Sequence, residues 1–404
     1  MSKRLLTLVT FVLLASTILS ACAGKPYECT DPLGCVTVAP DEPVHIAYAM
    51  VIAGPDATLG IDSRNGAEIA VSDKGGKVLD HDIKFDGEDD GCSPEGGQAA
   101  GTKLAADPTI VAIIGTSCSS ALRVAMPLWS QAGFVVISAS NTAVDLTLPG
   151  SENQHPGYLR TAHSDKVQGA AAAEYAWEKG IKKAATIHDG SIYAEQLQQV
   201  FADKFKELGG TITIQEAVTP EQTDMSSVLT SIASGAPEMI YHPIFIQAGT
   251  QIVIQARQTP GLENVVLMGA DGMFSPDVME GAGDAIEGVL VSSPDFTKFG
   301  ADYNDKFLPK YQEMFGSAPL SIFHAHAYDA MNIVLAAIEK VAVKDRDGTL
   351  HIPRQALRDA MYGTKNFKGL TGNLTCSEYG DCADPNIAVY MYHTGQYPPE
   401  KILP

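Results

Sequence analysis

Ile110-Val111-Ala112-Ile113-Ile114-Gly115-Thr116-Ser117-Cys118-Ser119-Ser120 is the stretch on which the fold turns. A brief, β-branched apolar run ends at a glycine, and small hydroxyl residues follow. The amphipathic segment Ala121–Gln131 comes next, and then a second apolar run, Phe134–Ser138. Buried parallel strands have this form: short, apolar throughout and separated by helices.

The same alternation extends to both sides. Upstream, Val44–Met50 and Ile83–Asp86 read as strands, with helices at Gly66–Ser72 and Gly97–Ala106. Downstream the order restarts. Strands are predicted at Lys183–His188, Thr211–Ala217, Met239–His242, Val265–Gly269 and Gly288–Val291. Helices are predicted at Ser164–Lys179, Ala194–Leu208, Met225–Ser234 and Gly249–Arg257, and later at Ala301–Phe315, Ile322–Val341 and Pro353–Met361. The tail around Val389–Tyr392 is β-like. Two successive β-α series predict two doubly wound α/β lobes, with a cleft between them at the carboxyl ends of the strands.

The N-terminus reads as an address rather than as fold. Lys3 and Arg4 precede an apolar run from Leu5 to Leu19, shorter than the roughly 20 residues of a membrane span. Leu19-Ser20-Ala21-Cys22 resembles a bacterial lipobox, which implies a signal peptide over 1–21 and diacylation of Cys22. The other reading is an ordinary secretory peptide with a chance cysteine. Residues 22–42, rich in Pro, Gly, Asp and Thr, suit a tether.

Losing Lys3 and Arg4 with the leader takes the net charge from −20 to −22. So acidic a chain argues against nucleic acid, whose phosphates need clustered Lys and Arg. Of seven cysteines, six remain once Cys22 is assigned to lipid. Cys29 lies near Cys35, and Cys376 near Cys382, while Cys92 and Cys118 sit at two strand–loop junctions. An even count in an exported chain predicts disulfides, and pairing neighbours is the simplest of about fifteen connectivities. A metal site is not expected, because neither C-x-x-C nor finger-spaced His occurs. The acidic run from Asp86 to Gly91 fails as a calcium loop, with Gly97 where the bidentate glutamate belongs. His324 and His326, two apart on a helix, face different ways. The sequence contains no Walker loop, G-x-S-x-G elbow or H-E-x-x-H, and no cofactor is expected.

Several segments, taken in order, resemble type I periplasmic binding proteins of the leucine/isoleucine/valine class. They are Gly54-Pro55 with Gly60 and Asn65 to Ala70, Ile113-Ile114-Gly115 with Cys118-Ser119-Ser120, and Ile137-Ser138 with Asn141-Thr142. Arg160-Thr161, His188-Asp189 with Tyr193, Gln255-Ala256-Arg257, Met268 to Gly272, Glu287-Gly288 and Ala327 to Ala330 continue the series. The resemblance implies discontinuous lobes: 43–161 plus 292–350, and 162–291 plus 351–404, joined by a hinge of several crossovers. It also implies a Cys92–Cys118 disulfide, and a monomer that delivers an amino acid or similar metabolite to ABC permease subunits.

Candidate contacts follow. In the loop Thr116–Ser120, the backbone amides, with Ser117 and the Ser119 hydroxyl, can take a carboxylate; the bland reading is a plain N-cap serine. By resemblance, the loop holding Ser140, Asn141 and Thr142 supplies carbonyl and hydroxyl contacts, the alternative being simple turn residues. Resemblance also makes Tyr193 a closing aromatic rather than a half-buried helix-start residue, and Asp271 the ammonium partner where the family has glutamate. Leu59 and Phe245-Ile246 replace tyrosines of branched-chain binders, which makes the pocket more apolar and puts that substrate name in doubt. The expected function is an extracytoplasmic, lipid-anchored receptor and not an enzyme. Two other readings stand beside it. One is an exported hydrolase using Ser119 or Ser138, with His155, His163 or His188 as base. The other is a sensory module, which would need a partner for its output.

Overall fold

The computed structural model describes residues 27–403. The expected leader, Cys22 and the start of the tether lie outside the described residues. The first lobe opens with β1 (Val44–Ala49), α1 (Ala57–Asp73), β2 (His81–Glu88), α2 (Pro94–Ala105), β3 (Ile110–Gly115), α3 (Ser119–Gln131), β4 (Val135–Ser138) and β5 (Tyr158–Arg160). The second contains α4 (Asp165–Glu178), β6 (Lys183–His188), α5 (Ile192–Glu207), β7 (Thr211–Ala217), α6 (Ser226–Ser234), β8 (Met239–Tyr241), α7 (Ile246–Ala256), β9 (Val266–Gly269), α8 (Pro276–Ala282) and β10 (Leu290–Pro294). Next come α9 (Leu308–Phe315), α10 (His324–Val341), α11 (Arg354–Tyr362), β11 (Ile387–His393) and β12 (Gln396–Leu403).

Strands of the first sheet lie in the order β2-β1-β3-β4-β5, all parallel, with the short antiparallel strand Lys77–Val78 outside β2. The second sheet runs β7-β6-β8-β9-β10 in parallel and continues into antiparallel β11 and β12. Numbered within each lobe, both parallel blocks have the order 2-1-3-4-5. Every residue of β3 and β4 is buried, as strands covered on both faces must be. Ile113 and Val136 pack under α2 and α3 with Leu122 and Trp129. Ile114 and Ile137 point the other way, towards Ala67, Ala330 and Val334 of α1 and α10. The α1–α10 approach needs a glycine: a Cβ on Gly66 would sit 2.0 Å from the His324 carbonyl oxygen.

The structure corrects two of the expected boundaries. Residues 351–382 do not belong to the second lobe. Leu350–Pro353 pairs with Cys35–Val38, and Leu357, Met361 and Leu374 join the first core. Arg354 and Arg358 of α11 donate to the carbonyls of Ile110 and Phe134 at 3.0 Å each, which fixes the helix to that lobe. The chain therefore crosses for the third time at 383–386, beside the other two crossovers, rather than near 350. Nor is the stretch from Tyr27 to Glu42 a free tether. Asp31 accepts the Gln355 and Ala356 amides, and the Arg354 amide donates to Gly34. The disulfides are Cys29–Cys35, Cys92–Cys118 and Cys376–Cys382, the neighbour pairing.

Candidate ligand-binding site

Each parallel block reverses its winding direction between its first and third strands, β1/β3 in one lobe and β6/β8 in the other. Loops leaving the carboxyl ends at such a point diverge and leave a crevice. Here the two crevices face each other. One narrow cavity lies between them, walled by loops of both lobes. Leu59, Ser117, Cys118, Ser119 and Ser140 form the first-lobe wall, and Tyr193, Phe245, Asp271 and Gly272 form the second. Phe323, at the start of α10, closes one end.

The first wall is a set of fixed dipoles. Asp90, wholly buried, accepts the Ser117 amide on Oδ2 at 2.6 Å and the Cys92 amide on Oδ1 at 2.9 Å. Burial pushes its carboxyl up to about 6. The Ser117 hydroxyl accepts from the Val51 amide at 3.0 Å, and the Ser140 hydroxyl donates to the Ser117 carbonyl at 2.8 Å. The Cys92–Cys118 disulfide ties the same loop to the start of α2. The loop is thus held from three sides, and α3 starts from it. Cys118 is the N-cap of α3 and makes no side-chain cap bond. Among the described residues, nothing accepts from the amides of Ser119 and Ser120. Unpaired amides at a helix start, with the dipole behind them, favour an anion.

The second wall carries the opposite charge. Asp271 follows β9, and its Oδ1 accepts from Gln168 Nε2 at 2.5 Å and from the Tyr193 hydroxyl at 3.1 Å. The Gly272 amide donates to the same tyrosine oxygen at 3.3 Å. Neither neighbour bonds Oδ2, which leaves that oxygen for a cation. Burial raises the carboxyl to about 6, against the lowering effect of the Gln168 bond. Asp165 lies behind it, fully buried, with neither carboxylate oxygen hydrogen-bonded. Burial first, and Asp271 second, hold Asp165 well above the usual carboxylate range. Leu59, Phe323 and the Tyr193–Phe245 pair, whose ring centroids are 5.2 Å apart, give the space between the walls an apolar lining.

Six of the expected contact residues meet here: Ser117, Ser119, Ser140, Tyr193, Phe245 and Asp271. Asn141 and Thr142 do not line the cavity, because their turn is committed inward. The Asn141 amide donates to the Ser138 hydroxyl at 2.9 Å, and its side-chain oxygen accepts from Thr116 at 3.2 Å. The Thr142 carbonyl accepts the Asp165 amide at 2.8 Å. Sequence reasoning missed Phe323, which it placed inside a helix beginning at Ile322. It also missed Asp90, whose place in an acidic run gave no sign of burial.

A profile of the periplasmic binding protein family matches residues 43–393. The chain is a periplasmic binding protein. It is 27% identical over 353 residues to the leucine-, isoleucine-, valine-, threonine- and alanine-binding protein of Pseudomonas aeruginosa, covering 87% of this chain and 90% of that one. Among solved structures, the leucine-binding protein LivK of Thermotoga maritima matches this periplasmic binding protein with a TM-score of 0.78 at 25% identity, covering 87% and 96% of the two chains. A solute-binding protein of R. palustris in complex with benzoate shares the fold, with a TM-score of 0.75 at 19% identity over 89% and 95%. The relatives put this periplasmic binding protein in the branched-chain amino acid class of type I.

Proposed function

We propose that this periplasmic binding protein is the lipid-anchored receptor of an ABC importer, and that its two lobes close on an α-amino acid with an apolar side chain. One observation carries the reading: Ser119, with its free amide at the start of α3, and the carboxylate of Asp271 border one cavity from opposite lobes, with aromatic and aliphatic walls between. An α-amino acid presents a carboxylate and an ammonium to those two walls. Burial of its side chain and pairing of both its charges would supply the binding energy. Relatives named for leucine, isoleucine and valine support the class. The lipobox-like Leu19-Ser20-Ala21-Cys22 after the apolar leader supports the anchor. No helix of the described residues is long and apolar enough to cross a membrane.

A carboxylate without an amine is a second reading, favoured by the three aromatic rings in the lining and by neighbours solved with benzoate and 4-hydroxybenzoate. Hydrolysis has less support. The Ser119 hydroxyl accepts from the Ala143 amide, His163 is bonded to Gln168, and His188 accepts from the Gly190 amide. Thermal-shift titration separates the readings. L-leucine, L-alanine or another apolar amino acid should raise the melting temperature, and Asp271→Asn should abolish that rise. If benzoate alone stabilises the protein, and does so equally in Asp271→Asn, the amino-acid reading is wrong.

A further inference from the structure

Two helix starts that face each other across the mouth of the cleft lack side-chain caps from their own helices. Asp56 holds the N-cap position of α1 yet makes no bond there, although aspartate is among the strongest capping residues. Its Oδ1 instead accepts the Ile246 amide of the opposite lobe at 3.2 Å. Ile246 opens α7, whose own N-cap is Phe245, a residue with no capping group. Within the first turn of α1, the Thr58 hydroxyl donates to Asp277 Oδ2 at 3.0 Å and lies 3.0 Å from the Ser275 hydroxyl, the cap of α8. Neither Asp56 nor Thr58 lines the ligand cavity.

We propose that Asp56 and Thr58 form a closing latch, in which the first turn of α1 caps α7 and grips the start of α8, holding the lobes together before a ligand arrives. The charges around it leave the helix start as its counterpart. Asp189 of the β6–α5 loop and Asp277 of α8 face the Asp56 carboxyl, and Glu95 and Glu221 line the same opening. No Lys or Arg lines that opening among the described residues. Burial, with the two neighbouring aspartates, pushes Asp56 up to about 6. The positive end of α7 is the favourable partner that remains. An oxygen acceptor is therefore what the latch requires, and a charge adds little.

Three variants of the full chain test this without any ligand: Asp56→Ala, Asp56→Asn and Thr58→Val. Two readouts are used, hydrogen exchange at the Ile246 amide and the radius of gyration from small-angle X-ray scattering. A lost interlobe hydrogen bond should raise both the open-to-closed ratio and the Ile246 exchange rate about tenfold in Asp56→Ala. Asp56→Asn should stay close to wild type, and Thr58→Val should expand the chain with α7 otherwise protected. Equal Ile246 exchange in wild type and Asp56→Ala overturns the latch, as does an unchanged radius of gyration. If Asp56→Ala does not fold, the radius of gyration of Thr58→Val against wild type decides, and an unchanged value overturns the latch. L-leucine is added in a separate arm. Ligand-free differences that persist where leucine does nothing uphold the latch and tell against the proposed ligand.

Discussion

At Asp271 the local physics sets a pH dependence whose sign can be worked out. In the empty site burial holds the carboxyl at about 6, above its usual value. A bound ammonium would pull it down again, so binding and deprotonation are linked. Affinity for a cationic amine should therefore be full above pH 6 and fall as pH drops through 6, by up to about tenfold per unit. Calorimetric titration between pH 5 and 7.5 checks this, and Asp271→Asn should remove the slope along with most of the binding. A second residue belongs at this scale. Arg160 is wholly buried and donates to the carbonyls of Asn141 and Ala143, to the Thr147 hydroxyl at 2.7 Å and to Asp381 at 2.5 Å. Arg160→Met leaves those acceptors unpaired, and denaturant unfolding should register a loss of about 3 kcal/mol. Family resemblance and position after a strand brought out Asp271 and Ser119, both of which line the cavity. They were not enough for Thr142, since which way a turn residue faces depends on a neighbour, Asp165, that is distant in sequence terms.

The elements that read most clearly were those whose own pattern determines them. β3, β4 and β8 are continuous apolar runs, and α5 opens with the Ser191 cap that accepts the Ala194 amide. Gly66–Ser72 read as helical, and α1 extends further back, to Ala57. Its first turns carry Thr58 and Gly60 and are held by the other lobe, so their helicity is tertiary in origin. β5 is only three residues long; β4 pairs along one edge, and a bridge between Arg160 and Asp381 closes the other. The loop between β3 and α3 combines a disulfide spanning 26 residues with a buried carboxylate. Replacing Cys92 and Cys118 by serine should cost about 3 kcal/mol by loop entropy. Because the bridge reaches the N-cap of α3, the same pair of changes should also weaken ligand binding. Chemical denaturation and titration on the double variant measure the two effects.

For the whole molecule, hydrophobic periodicity gave the number of lobes but not the full path of the chain. α11 is amphipathic in either lobe; long-range contacts decide where it docks, among them Arg354 and Arg358 reaching carbonyls at Ile110 and Phe134. A ligand that binds the closed form should compact the molecule in scattering. It should also stabilise the fold by about 2.7 kcal/mol at one hundred times its dissociation constant. The latch sets how much of that compaction is already present in the empty protein. The strand Cys35–Val38, laced to Leu350–Pro353, has a further consequence for motion. The segment from Tyr27 to Glu42 is stitched to one lobe, so an acyl group on Cys22, as proposed above, would hold that lobe alone. One half would then ride at the bilayer as a stator, leaving the other to swing like a jaw facing the permease.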